Sequence, residues 1–373
     1  MVYLDNAATT MIKPATVGRE ILRTMSMCAS PGRGGHRPAM NAARTVYTCR
    51  ERAAELFHVA DPDRVVFTMN ATHGLNIAIR SLAGAGKRVL VSGYEHNSVT
   101  RPLKQLGAEI MVAEAPLFDR EKTLDAFREK IPEAELVVCT QVSNVFGFVL
   151  PVEEIAALCR EAGVPLIVDA SQSAGILEVD FEKLGADFIA MPGHKGLFGP
   201  QGTGILLCAG TGDPLLAGGS GSDSLAQQMP EYLPDRMEAG THNVPGIAGL
   251  MAGMEYVMEK GTDAIAEHEQ ALLALMIARL QEMPEIELFA GAPGSQSGVL
   301  SFRPVQRDVD DLAQYLAERD ICLRSGLHCA PFAHRSAGTL ETGTLRASFS
   351  PFTTESDVIK CCPCIEEFLQ RDG

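Results

Sequence analysis

Between Arg64 and Ala209 the chain repeats one pattern: a short run of consecutive apolar residues closed by Gly, Pro or Asp, followed in several cases by a stretch whose apolar residues recur at helical spacing. The runs are RVVFT from Arg64, RVLVSG from Arg88, EIMVAE from Glu109, ELVVCT from Glu135, PLIVDAS from Pro165, FIAMPG from Phe188 and GILLCA from Gly204. Apolar residues on consecutive rather than alternate positions suit strands buried on both faces. The helical spacing is clearest over Thr72 to Leu82 and Val152 to Ala162. The alternation predicts an α/β fold with a mostly parallel seven-stranded sheet and helices on both sides.

After about Gly246 the pattern changes. A long helical stretch, roughly Ala264 to Leu280, leads to GVLSFRP, a helix after Asp308, ICLRSG, LRASFS and a terminal helix after Thr354. This reads as a smaller α+β C-terminal unit, with a large domain over 15–260 and a small one over 261–373 that takes in an N-terminal arm, 1–14. The segment AGTGDPLLAGGSGSDSLAQQ from Ala209 reads as a mobile loop. No internal repeat is visible.

At 373 residues the chain has room for two such units. With 46% hydrophobic and 21% charged residues it is globular rather than disordered. A net charge of -15 without any long Lys/Arg run argues against nucleic acid as a partner. No apolar window reaches the ~18 residues of a membrane span, and MVYLDNAATT is not a signal peptide, so a cytoplasmic protein is expected. The 10 cysteines lie mostly in apolar segments and read as small buried hydrophobes in a reducing compartment, not as a disulfide framework.

Candidate chemistry centres on FIAMPGHKGLFGPQGTGILL, where a Gly-rich loop between two apolar runs holds His194 and Lys195 with no acidic residue nearby. Such a lysine is either a surface loop residue or a Schiff-base lysine, whose amine must be able to lose its charge. Pyridoxal phosphate chemistry would need a carboxylate on the ring nitrogen and donors for the phosphate. Asp169 ends the preceding buried run, either as a helix cap or against a protonated ring nitrogen. Gln172, three residues on, can donate to a ring oxygen. A helix starting at Ala71 and Thr72 offers free N–H groups and a dipole to a phosphate, although the same signal is a plain N-cap. His96 follows another run at the sheet edge where ligands bind in open α/β folds, a place where a histidine can also be structural.

YLDNAATT at Tyr3, EHNS at Glu95, SNVFG at Ser143, VDASQSAG at Val168, PGHKGLFGPQGTG at Pro192, EAGTHN at Glu238 and RSGLHCA at Arg324 occur in this order. Together they resemble the cysteine desulfurase and selenocysteine lyase group of the class V aminotransferases, and the likeness runs through nearly the whole chain. The resemblance implies a fold-type I pyridoxal 5'-phosphate enzyme, working as a homodimer, with Lys195 as its Schiff-base lysine. It implies that Asp169 pairs with the ring nitrogen, that Gln172 and Asn144 lie near the ring oxygen or substrate, and that His96 stacks on the ring. Ala71, Thr72 and His194 would hold the phosphate, and Thr241 would reach the phosphate of the neighbouring subunit. Ala8 would border the substrate.

Cys329 sits in ICLRSGLHCAPFAHR beside Arg324 and His328, whose positive charge and imidazole would favour the thiolate that attacks sulfur. Arg346 in TLRASFSPF offers a planar fork for an α-carboxylate, as its counterpart does in the family, and Arg324 is a second candidate. The expected reaction converts L-cysteine to L-alanine. Lys195 takes the Cα proton, His96 shuttles protons for the substrate thiol or the product, and the sulfur is left as a persulfide on Cys329 for a thiol or acceptor protein to remove. Selenocysteine or cysteine sulfinate as substrate, a transaminase or β-lyase independent of Cys329, and a non-enzymatic binding protein are the alternatives.

Three features stand apart. Pro192 occupies the position where many relatives carry a serine hydroxyl, two residues before the His-Lys pair, so one phosphate hydrogen bond is missing unless amides or threonines compensate. KCCPCIEEF, with Cys361, Cys362 and Cys364, reads as helix-start packing because no second ligand pair stands at zinc spacing, and no metal site is expected. SPGRGGHRPA either brings Gly34, Gly35 and His36 to the active-site mouth or is a rigid loop.

Overall fold

The computed structural model describes residues 1–32, 34–222 and 224–371. The strands in chain order begin with β1 (Val2–Tyr3), and the seven apolar runs become β2 (Val65–Thr68), β3 (Arg88–Ser92), β4 (Glu109–Ala113), β5 (Leu136–Thr140), β6 (Leu166–Asp169), β7 (Phe188–Pro192) and β8 (Gly204–Cys208). These seven form one sheet in the order β2-β8-β7-β6-β5-β3-β4. Only β8 runs antiparallel to its neighbours. Consecutive residues serve opposite faces: Leu166 and Val168 enter one buried cluster and Ile167 the other, while Val89 and Val91 oppose Leu90. The two-faced burial is the reason these strands read as unbroken apolar runs.

Strand order reverses at β3, which lies between β4 and β5. In open α/β sheets, ligands bind beyond the carboxyl ends of the strands at such a reversal. The segments leaving β3, β5, β6 and β7 there carry His96, Asn144, Gln172 and Lys195.

The C-terminal part has its own buried cluster, to which Val2 and Leu4 of the arm contribute. There β9 (Ile286–Phe289), β10 (Val299–Pro304), β12 (Arg324–Gly326) and β13 (Thr344–Ser348) form an antiparallel sheet in the order β12-β13-β10-β9. The single strand read in ICLRSG is in fact two: β11 (Ile321–Cys322) pairs in parallel with β1, whereas β12 joins the antiparallel sheet. The long helix read over Ala264 to Leu280 is Thr262–Leu280, and a further helix, Val244–Lys260, precedes it, the two parted at Gly261, whose φ of 80° suits a residue without Cβ.

Thr354 closes a capping box with Asp357 at the start of the last helix, Glu355–Leu369. Cys361, Cys362 and Cys364 lie in the body of that helix rather than at its start, and the first two pack into the C-terminal core. Among the described residues, 209–243 contain no helix or strand, and no helix is long and apolar enough to cross a membrane.

Candidate active site

A cavity of about 200 Å³ opens at the strand reversal, and every predicted site residue except Thr241 lines it. Thr241 is exposed in the 209–243 segment, on a stretch anchored by the buried ion pair of Glu238 with Arg50. Gly34, Gly35 and His36 do not line the cavity either. His36 caps the helix Arg37–Leu56 by accepting from the Ala39 amide.

Lys195 leaves the end of β7 in a tightly fixed loop. The Gly193 amide donates to Thr203 O at 2.8 Å, and a Cβ on Gly193 would stand 2.1 Å from Thr203 Oγ1, so only glycine fits there. The N-terminal arm fastens the same loop: Thr9, Thr10 and Lys13 donate side-chain hydrogen bonds to the carbonyl of His194. Lys195 is half-buried, and its amine has no hydrogen bond among the described residues. Burial, then the charges of Arg346 and Arg324, bring its pKa down to about 8, against the opposing pull of Asp169 and Asp5.

Asp169, at the end of β6, is 2% exposed. Its Oδ1 accepts from the Ser171 amide at 2.9 Å, and it has no ion pair among the described residues. Burial pushes its pKa up. Gln172 spends a donor on Ala7 O at 3.0 Å, and Asn144 spends one on His328 O at 2.8 Å, so both amides also tie neighbouring segments to the site.

Arg346, on β13, is 1% exposed. Its Nη2 donates to Asp5 Oδ1 at 2.8 Å and its Nη1 to Asn144 O at 2.9 Å, while Nε is buried without a partner. A guanidinium fixed at two corners with an unused N–H suits an incoming carboxylate.

Cys329 is the one exposed cysteine of the ten. It and His328 both have left-handed backbone, φ 58° and 48°, and the loop is pinned where Asn97 N donates to Cys329 O at 2.8 Å. His328, expected to place an imidazole beside this thiol, lines the same cavity. Its ring is buried and stacked on His334 at 5.8 Å, and burial together with Arg346 drives its pKa down to about 2. It therefore stays neutral, leaving Arg324 as the cation nearest in sequence.

His96 caps the helix Asn97–Gln105, its Nδ1 accepting from the Ser98 amide at 3.0 Å. That bond assigns the ring proton to Nε2. Burial, with Lys195 and Arg324 beyond it, brings its pKa down to about 4, so the ring is neutral at pH 7. His194, also lowered to about 4 by burial, meets Thr9 Oγ1 at 3.0 Å.

These residues fit pyridoxal phosphate on their own chemistry. Among the described residues, a half-buried amine without a partner, a buried carboxylate without a counter-ion, and the unbonded amides of Ala71 and Thr72 at the helix start are what an aldehyde, a protonated ring nitrogen and a phosphate would each satisfy.

Asp5, Ser98, Glu95 and the arm contacts to His194 were missed in the sequence. All but Lys13 lay within quoted motifs, Asp5, Thr9 and Thr10 in YLDNAATT and Glu95 and Ser98 in EHNS, without a role being read for them. Glu95 is fully buried, accepting from Ser92 Oγ and the Thr140 amide, and burial holds its pKa up at about 8. The folded state then binds more protons than the unfolded chain between about 4.5 and about 8, so this carboxyl costs stability as pH rises through that window. We expect Glu95→Gln to gain in Tm relative to wild type from the lower to the upper end of the window, and an unchanged difference by calorimetry would refute this.

The class-V aminotransferase pattern matches residues 2–360. A probable cysteine desulfurase of Methanothermobacter thermautotrophicus is 34% identical over 381 residues, 98% of this chain and 94% of that protein. A cysteine desulfurase of Yersinia pestis is 30% identical, covering 96% of this chain and 91% of its own length. Among solved structures, the apo cysteine desulfurase of Thermococcus onnurineus NA1 superposes with a TM-score of 0.89 at 30% identity, over 99% of this chain and 94% of that one. The cysteine desulfurase CsdA of Escherichia coli, in its S-sulfonic acid form, gives 0.86 at 29%, again over 99% and 94%. With its fold-type I sheet, its lysine loop and these relatives, the chain belongs to the class-V aminotransferases, in their pyridoxal phosphate-dependent cysteine desulfurase group.

Proposed function

We propose that this protein is a cysteine desulfurase that takes sulfur from L-cysteine onto Cys329 and releases L-alanine. The observation that carries the reading is the convergence on one cavity of a half-buried lysine without a partner among the described residues, a half-satisfied buried arginine and the chain's single exposed cysteine. The family's cofactor, when bound, supplies an electron sink that makes the substrate Cα acidic.

The protein's own residues do the rest. Arg346, oriented by Asp5 and Asn144, holds the substrate carboxylate. Asp169 holds a positive charge at the ring nitrogen, and the first turn of Ala71–Leu82, with Thr72 and His194, receives the phosphate. Lys195, with a pKa brought down to about 8 by burial, accepts the Cα proton. The thiolate of Cys329 attacks the substrate sulfur as the Cβ–S bond breaks, its electron pair remaining with the carbon fragment. His96 enters with its proton on Nε2, so it can donate to the product but cannot accept the thiol proton at that nitrogen. One cysteine and one protein thiol thus become one alanine and one persulfide. A thiol or an acceptor protein then takes the outer sulfur.

A homodimer is part of this reading. Leu22, Met25, Met40 and Tyr47 are 50–70% exposed on the helices Ala15–Met27 and Arg37–Leu56, an apolar surface that a second copy would cover. With a partner so placed, Thr241 would serve the neighbouring phosphate.

Incubation with L-cysteine and a reducing thiol tests the activity. Alanine and sulfide should appear in equal amounts, and when the reducing thiol is withheld persulfide should accumulate on the protein with one alanine released for each persulfide formed. Sulfide without alanine would overturn the assignment.

A further inference from the structure

Pro192 lines the cavity beside His194 but has neither a hydroxyl nor an amide proton to give. What this protein offers an anion there must come from elsewhere. Two helices begin at this end of the cavity: Ala71–Leu82, capped by Asn70, and Asn97–Gln105, capped by His96. Their residues Thr72 and Ser98 bring two hydroxyls to within 2.7 Å of each other, and both line the cavity.

The donors of the second helix can be accounted for one by one. The Asn97 amide is spent on Cys329 O, the Ser98 amide on His96 Nδ1, and the amides of Val99 and Thr100 on His96 O. Among the described residues no backbone donor is left at that terminus, and Ser98 carries the hydroxyl of that turn that lines the cavity. The hydroxyl pair holds two protons, and the Thr72–Ser98 bond uses one. The contact of Ser98 Oγ with His96 Nδ1 at 2.9 Å does not claim the other, because the single in-plane lone pair of that nitrogen already accepts the Ser98 amide. One hydroxyl proton therefore remains for an oxygen in the cavity, at a point where two helix dipoles add.

We propose that Ser98 is a direct ligand of the cofactor phosphate: Thr72 donates to the Ser98 oxygen, and the Ser98 proton is given to the phosphate in the place that Pro192 leaves empty. The proposal rests on the reading of this cavity as a pyridoxal phosphate cradle. It concerns a residue two positions beyond His96, in a helix that otherwise serves the ring face and the Cys329 loop.

Cofactor affinity, measured without turnover, tests it. Apoprotein is titrated with pyridoxal phosphate and, separately, with pyridoxal, which lacks the phosphate, for wild type, Ser98→Ala and Ser98→Ala/Pro192→Ser. A hydrogen bond to a charged group is lost, so Ser98→Ala should weaken pyridoxal phosphate binding about tenfold or more and leave pyridoxal binding within about twofold. The second substitution, which restores a hydroxyl from the other side, should recover most of the loss. Unchanged phosphate-form affinity in Ser98→Ala would overturn the proposal, as would equal weakening of both forms, which would mark Ser98 as a support for His96 alone. If wild-type apoprotein binds neither form, the cradle reading itself fails, a result distinct from either of those.

Discussion

Replacing Lys195 with alanine should lower alanine production from L-cysteine by about a thousandfold or more, because the residue both attaches the cofactor and moves the Cα proton. The protein cannot replace it from within. Lys13 is the other lysine near the loop, and its amine is committed to the Thr10 hydroxyl and the His194 carbonyl. Lys195→Arg separates charge from proton transfer. Arginine keeps the positive charge but does not give up its proton at any working pH, whereas burial has brought Lys195 to about 8. The arginine variant should therefore be as inactive as the alanine variant. Borohydride should fix pyridoxal phosphate covalently to wild type and to neither variant. Substantial activity in Lys195→Arg would show that the lysine acts only as a charge and would remove it from the proton-transfer role.

The architecture around this lysine was readable in the sequence wherever burial is two-sided. Runs such as LIVD and GILLC are apolar at every position because each face of the sheet has its own core, and all seven strands were found on that ground. One-residue events escaped. Leu323 separates two strands that pair with different partners, yet it does not change the local apolar pattern, and the helix Val244–Lys260 ahead of Gly261 was not read at all. The site divides in the same way. Residues whose side chains were expected to meet a ligand, such as Asp169, Lys195 and Cys329, stood out by chemical type against apolar surroundings. Those that act on the backbone or on another side chain left no such mark. Thr9, Thr10 and Lys13 fix the loop through one carbonyl, and Asp5 aligns Arg346 across most of the chain's length. His328 was read as an imidazole beside Cys329, and its burial against His334, which keeps the ring neutral, was not visible in the sequence.

Cys329→Ser should reduce both alanine and sulfide formation by about a hundredfold or more, while L-cysteine still perturbs the visible spectrum of the bound cofactor. The two halves of that result belong to different parts of the cavity. Lys195, Asp169 and Arg346 do not depend on the sulfur of Cys329 for their placement, so substrate binding and Cα proton removal survive. The serine hydroxyl is the right size but is not ionised near neutral pH and does not accept the sulfur. The backbone should be indifferent to the change, since the loop is held through the carbonyls of Cys329 and His328 by Asn97 and Asn144. No other cysteine can substitute, because six are buried and three are half-buried. Brief treatment of native protein with iodoacetamide should accordingly label one residue, Cys329, and abolish sulfur transfer in proportion. Full alanine output from Cys329→Ser would mean that the carbon–sulfur bond breaks without a protein nucleophile, and the reaction would then be a β-lyase elimination on the same lysine.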